Sequence, residues 1–161
     1  MALISLETTI NAPRDRVFDL ARSIDAHQDS AGNTKERAVG GVTTGLIGLN
    51  EEVTWEAVHF GLTQRLRGRI TAFDYPSHFR DEMVEGAFRS LRHDHNFEEA
   101  DGQTVMSDRF EFFAPFGMLG RIAEKLLLER YLRRFLVERN AVLKEMAETD
   151  RWRKYLCGAT G

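Results

Sequence analysis

Apolar and polar residues alternate along most of this chain and switch to three- and four-residue steps in its last third. Residues 3 to 10, LISLETTI, alternate and are rich in β-formers, which predicts a strand. Asn11, Ala12 and Pro13 then open a helix with Pro13 in its first turn, and Val17, Phe18, Leu20 and Ala21 give it an apolar stripe. A second short helical piece follows around Ile24 to His27. Residues 28 to 50 are the least regular part: five glycines (32, 40, 41, 45 and 48) surround one short strand candidate at 35 to 39. From residue 51 the alternation becomes long and regular, in 51 to 60, 62 to 74, 78 to 85, 87 to 99 and 103 to 113. Gly61, Tyr75–Pro76, Gly86 and Asp101–Gly102 read as turns between these runs, and Pro115 ends the last. From 116 to about 148 the pattern is helical, with Leu119, Ile122, Leu126, Phe135, Leu136, Leu143 and Met146 at three- and four-residue steps. At ~1.5 Å per residue such a helix is roughly 50 Å long. The tail after Trp152 reads as frayed. No repeat, linker or second domain is visible, so the expectation is a single domain over 1 to 150 with a C-terminal tail at 151 to 161.

The element order is strand, two short helices, about six strands and one long helix, which makes an α+β fold. A curved antiparallel sheet with one apolar face per strand needs a partner to bury it, and the long helix is that partner. Choosing the more apolar face of each strand assigns an inner set. It contains Val53, Trp55, Ala57 and His59; then Leu62, Gln64, Leu66 and Ile70; then Phe79, Asp81 and Met83; then Leu91, His93, His95 and Phe97; and then Met106, Asp108, Phe110 and Phe112. Arg65, Arg67 and Arg69 fall on the outer face as a solvated basic stripe.

That assignment sends Asp81, His93, His95 and Asp108 inward among apolar neighbours, with His59 beside them. Centring the hairpin on Asp101–Gly102 puts His93 opposite Asp108 and His95 opposite Met106; centring the previous one on Gly86 puts Asp81 near Leu91, diagonal to His93. Buried and unpaired, each such group would cost several kcal/mol. They must therefore bond one another, water or a ligand, and a solid apolar core gains nothing from them. A cavity with a polar end does.

Composition narrows the classes. With 42% apolar and 29% charged residues in 161, the chain is an ordinary globular sequence. A net charge of −3, from 22 basic and 25 acidic residues, argues against a nucleic-acid binder built on phosphate contacts. The single cysteine, Cys157, excludes an internal disulfide. No apolar run approaches the ~20 residues of a membrane helix, and MALISLETTI lacks the basic start and long apolar stretch of a secretory signal. The expected location is cytoplasmic.

The stretches TTINAPRDRVFDL (8 to 20), EEVTWEAVHFG (51 to 61), ITAFDYPSHFRDEMVEGAF (70 to 88), HDHNFEE (93 to 99) and MSDRFEFFAPFGMLGRI (106 to 122) resemble the helix-grip superfamily of START and birch-pollen-allergen domains. The resemblance spans nearly the whole chain. It is closest to the small bacterial SRPBCC proteins, some labelled cyclase/dehydrase or cell-division-inhibitor-like. It implies a seven-stranded antiparallel sheet wrapped around the C-terminal helix over an apolar cavity. Relatives bind or carry lipids, sterols, polyketides, plant hormones or quinones, and a minority catalyse cyclisation or dehydration.

Four functional readings follow. The leading one is binding, extending to transport, of a small hydrophobic molecule such as a lipid, isoprenoid or polyketide. Its cavity would be lined by Trp55, Leu66, Phe79, Met83, Phe97, Met106 and Phe110, with His59, Asp81, His93, His95 and Asp108 as polar contacts. The alternative is a cyclase/dehydrase-type enzyme in which Asp108 supports His93 as a general base and His95 or His59 is the acid. Two histidines at i and i+2 with nearby carboxylates could share a metal, but that spacing is common and no metal or cofactor is assigned. The glycine-rich 39 to 49 segment, with Leu46 and Ile47 read as exposed, is a lid, a contact between copies in a homodimer, or an ordinary loop. The basic residues of the long helix, Arg121, Lys125, Arg130, Arg133, Arg134 and Arg139, read as a solvated face diluted by glutamates.

Overall fold

The computed structural model describes residues 1–114 and 121–157, with the side chains of 126–157 described in the second span. Strand β1 (Ala2–Ile10) leads into helices α1 (Arg14–Ala21) and α2 (Ile24–Ser30). Six strands follow: β2 (Arg37–Gly41), β3 (Glu52–His59), β4 (Leu62–Asp74), β5 (His78–Glu85), β6 (Ser90–Ala100) and β7 (Gln103–Phe113). Helix α3 (Arg121–Glu148) and a short α4 (Trp152–Leu156) complete the chain. The strands form one seven-stranded sheet in the order β1-β7-β6-β5-β4-β3-β2, with every neighbouring pair antiparallel. Helix α3 lies across its concave face. This is the helix-grip α+β fold that the resemblance implied.

Two apolar clusters hold the layers together. In one, Phe18 of α1 is fully buried, with ring centroids 5.1 to 5.4 Å from those of Phe73, Tyr75, Phe79 and Phe97. Truncating such a ring costs about 3–5 kcal/mol. In the other, Ile4, Leu91, Phe110 and Phe112 of the sheet meet Leu132 and Leu136 of α3. Along β6 the sequence Leu91, His93, His95, Phe97 runs from the second cluster to the first, and along β7 Met106, Asp108, Phe110 runs back. The inward polar residues therefore sit at the seam between two apolar clusters.

Several local expectations are corrected. The β6–β7 hairpin closes with Ala100 opposite Gln103, because Asp101 and Gly102 both take positive φ (52° and 74°) as a tight two-residue turn. That places His95 opposite Asp108, His93 opposite Phe110 and Phe97 opposite Met106, two residues from the sequence-derived register. Asp81 lies directly opposite His93 rather than diagonal to it, because the chain at 86 to 89 bends before β6 begins at Ser90. An even slip keeps each side chain on its face, so the inward set survives. In β4 a register shift between Ile70 and Ala72 reverses the pleat, and Phe73 joins the first cluster. Leu62, at the hairpin tip, is 65% exposed.

Strand β2 starts two residues late because Lys35 has φ 52° and closes a turn. Ile47 is buried, not exposed: Ile47 N–H donates to Arg22 O, and Asp25 accepts from Thr44 and Gly45, so the 39 to 49 segment is tied to α2. The tail is not frayed at Trp152. Helix α4 docks with Tyr155 buried and its hydroxyl donating to Asp29 at 2.6 Å, while the Arg16 guanidinium lies 4.4 Å over the Trp152 ring. Leu126 is 56% exposed and packs in neither cluster. Leu119 and the side chain of Ile122 lie outside the described residues.

Candidate functional site

Between α3 and the concave face lies a cavity of about 160 Å³. Of the residues singled out from sequence, Trp55, His59, Leu66, Phe79, Asp81, His93, His95 and Phe110 line it. Four do not. Phe97 and Met106 are buried in the first cluster, Met83 packs against the second, and Asp108 stands behind the two histidines. Ile24, Ile47, Val53, Ile70, Leu132 and Leu136 are among the other residues of the apolar wall.

The polar wall is built by three adjacent strands. His93 Nε2 lies 2.8 Å from Asp108 Oδ1, and His95 Nε2 lies 3.1 Å from Asp81 Oδ2. Asp108 is fixed from the helix side: Asn140 Nδ2 donates to its Oδ2 at 2.6 Å, and Arg139 Nη2 is 3.8 Å from its Oδ1. The rings are clamped by aromatic neighbours. His95 stacks on Phe79 at 4.3 Å and His93 meets Phe110 edge-on at 5.1 Å. Asp81 keeps a third of its side-chain surface open, whereas both histidines are almost wholly buried. One ligand atom from each of Asp81, His93 and His95 falls within 4.8 Å of the others, so these three could hold a cation.

The electrostatics differ sharply between the two rings. Burial, then repulsion from His95, pushes His93 down to about 4, despite its bond to Asp108. Burial also opposes charge on His95, but the Asp108 and Asp81 carboxylates at its two nitrogens outweigh it and raise its pKa. Burial opposes charge on Asp108 too, yet bonds from His93 and His95 hold it well below the usual carboxylate range. In Asp81 the same opposition ends in a lowered value, through His95 and the nearby His93. At neutral pH the wall thus carries two carboxylates and a neutral His93, beside a His95 whose surroundings favour its charged form.

His59 does not join this cluster. Its Nδ1 lies 2.7 Å from the Tyr131 hydroxyl, and burial lowers its pKa although Glu36 pulls it up. The other end of the cavity carries a pair the sequence did not reveal: His27 Nε2 lies 3.1 Å from Glu36 Oε2, with the His27 ring stacked on Trp55 at 4.2 Å. Arg139 and Asn140 were also missed. Arg139 is 5% exposed and lines the cavity, so the reading of the basic helix residues as one solvated face fails at this position. The signal was present: 136, 139/140, 143 and 146 continue the inward stripe of α3. On the convex face, Asp94 is also buried, under His78, Arg80 and Arg92.

A family model described as "Polyketide cyclase / dehydrase and lipid transport" matches residues 1–148. The chain belongs to this family. The sequence resemblance to SRPBCC proteins therefore holds over nearly its whole length. Among solved structures, TTHA0849 from Thermus thermophilus is 18% identical, with a TM-score of 0.75 over 91% of this chain and 97% of that one. CV1439 from Chromobacterium violaceum is 12% identical, with a TM-score of 0.71 over 92% and 98%. Ginseng major latex-like protein 151 from Panax ginseng is 12% identical, with a TM-score of 0.67 over 92% and 98%. Identities this low show a shared fold. No curated protein matches the chain. No helix among the described residues is long and apolar enough to cross a membrane.

Proposed function

We propose that this protein binds, and by extension carries, a small and largely apolar molecule in the cavity between α3 and the sheet. The observation that carries this reading is the lining: apolar residues form most of the wall, and Asp81, His93, His95 and Arg139 form one polar cluster in it, apart from the His27–Glu36 pair and His59. An apolar ligand body gains from leaving water, and a few convergent polar groups fix its orientation. Arg139 Nη2 is buried with no hydrogen-bond partner among the described residues. A hydroxyl, carbonyl or carboxylate on the ligand would satisfy it together with His95. Lipid, isoprenoid and polyketide skeletons all meet that description, and the family's description names lipid transport beside cyclase and dehydrase chemistry.

The alternative is a cyclase/dehydrase reaction with His93 as general base. Its Asp108 support favours the idea, but a histidine pushed down to about 4 is a weak base at neutral pH. Binding is therefore the better reading, in a cytoplasmic setting that suits a free, exposed Cys157. The test is mass spectrometry of an organic extract from freshly purified protein. A co-purified apolar compound, near one per chain and absent from an unrelated protein prepared alongside, is expected. An extract indistinguishable from that control, together with no saturable uptake of apolar probes, would sink the proposal.

A further inference from the structure

The geometry points to a binding site for one divalent transition-metal ion at the polar end of the cavity, with Asp81, His93 and His95 as its protein ligands. This goes beyond the binding of an apolar molecule and does not depend on it. The sequence offered two histidines at i and i+2 with carboxylates nearby; the fold singles out Asp81 of β5 as the third donor by pairing it directly with His93 of β6.

The distances are those a small ion requires. Asp81 Oδ2 is 3.1 Å from His95 Nε2 and 3.9 Å from His93 Nδ1, and all three ligand atoms lie within 4.8 Å of one another. An ion bound tetrahedrally at ~2.0–2.1 Å places its ligand atoms about 3.3 Å apart. The two distances from Asp81, the most exposed of the three, bracket that spacing, and small adjustments of Asp81 and of the two rings would close the set around an ion.

The arrangement behind the rings points the same way. Metal-bound imidazoles usually give their other N–H to a carboxylate, which fixes the tautomer and aims the free lone pair at the ion. Here one oxygen, Asp108 Oδ1, stands 2.8 Å from His93 Nε2 and 3.1 Å from His95 Nδ1. Asn140 anchors the second oxygen of that carboxylate. With the back nitrogens turned to Asp108, the front nitrogens present two lone pairs to the Asp81 carboxylate. Three acceptors then face one another with no donor between them, and only a proton or a cation can occupy that point.

A second observation is independent of this count. His95 Nδ1 is buried and has no properly directed hydrogen bond among the described residues, although Asp108 Oδ1 is close. Ligation through Nε2 leaves Nδ1 as the protonated nitrogen, with Asp108 Oδ1 3.1 Å away as the acceptor a small rotation of the ring would reach. Charge agrees: two carboxylates, Asp81 and Asp108, stand against the single guanidinium of Arg139, so the cluster favours an added positive charge, a proton on His95 or a bound ion. Two nitrogens and one oxygen suit zinc, cobalt, nickel or iron, not the all-oxygen shells of magnesium or calcium. The remaining coordination positions open toward the cavity, where a carbonyl or hydroxyl of a bound molecule would reach the ion.

The experiment is titration of chelator-stripped protein with Co²⁺, followed by calorimetry and visible absorption. One Co²⁺ per chain is expected, with d–d bands of a four- or five-coordinate site that Zn²⁺ abolishes. Asp81→Asn and His95→Gln should each weaken binding at least a hundredfold. In unmutated protein, Co²⁺ should shift the imidazole resonances of His93 and His95 out of the diamagnetic range and leave those of His78 inside it; this reading needs no substitution and is immune to misfolding of a variant. Gly68→Leu, which fills the apolar part of the cavity, should bind Co²⁺ as before, so loss of apolar binding and loss of metal binding are separately visible. Absence of saturable one-to-one binding, or paramagnetic shifts confined to other histidines, would overturn the assignment.

Discussion

Gly68 lies on β4 with its missing side chain directed at the cavity, between Leu66 and Ile70 and opposite inward-facing Val53 and Met83. A Cβ built there meets nothing closer than 3.7 Å. Gly68→Leu would therefore push an isobutyl group into a space of about 160 Å³ rather than into packed atoms. Burying those carbons contributes about 0.8 kcal/mol each, or roughly 3 kcal/mol together. Fixing the leucine rotamer removes about 0.5–1 kcal/mol. Loss of glycine's freedom in the unfolded chain returns about 0.4–1 kcal/mol. Imperfect fit lowers the total, and a net gain of about 1–2 kcal/mol is expected in the ligand-free protein, in the range of known cavity-filling changes. The same group occupies the ligand's place, so affinity should fall at least tenfold. The assay is urea denaturation for stability, with 1-aminoanthracene, a small apolar fluorophore, as the binding probe in a Trp152→Phe background. Trp55, which lines the cavity, is then the sole tryptophan and reports occupancy by energy transfer. Higher stability with weaker binding fits the structure. Lower stability would mean the space is already filled, and unchanged binding would mean the probe sits elsewhere.

Two buried aspartates on neighbouring strands should respond very differently to loss of charge. Asp108→Asn strands His93, Asn140 and Arg139 in a closed interior and should cost about 3–5 kcal/mol, read as a fall in urea midpoint at unchanged slope. Asp94→Asn, whose partners His78, Arg80 and Arg92 keep 26% to 38% of their side chains in solvent, should cost no more than about 1 kcal/mol; equal costs would contradict the two environments. In metal-free protein the depressed pKa of His93 makes its contribution complete above the free-histidine value of about 6.5 and progressively lost as pH falls toward 4. Urea midpoints should drop across that window in the parent protein and drop less in His93→Asn. A parallel decline in both would remove His93 as the cause.

Much of this molecule was legible because alternation survives local error. The strands at 62 to 74, 78 to 85 and 103 to 113 were placed from their pattern, and the inward direction of Asp81, His93, His95 and Asp108 followed from apolar neighbours. Their partners did not, since hairpin register depends on which two residues occupy the turn, and a two-residue slip leaves no trace in the pattern. The pleat reversal before Phe73 was hidden for a similar reason: a bulge is a property of pairing, not of one strand. Arg139 was misread by residue type, although its spacing between Leu136 and Leu143 places it on the inward stripe. The docking of α4 needed Asp29, which lies far away in the chain.

The central claim is that an apolar molecule occupies the space under α3, with its polar group toward His95 and Arg139. Isotope-filtered NOE spectroscopy on labelled protein, stripped of bound compounds and reloaded with the unlabelled compound extracted from protein expressed in ordinary medium, tests this most directly. Contacts from ligand protons to Phe79, Ile70 and Leu136, with the ligand's polar end nearest His95, are the predicted outcome. Contacts confined to surface residues, or cross-peaks showing those side chains packed against one another with nothing between them, would contradict it.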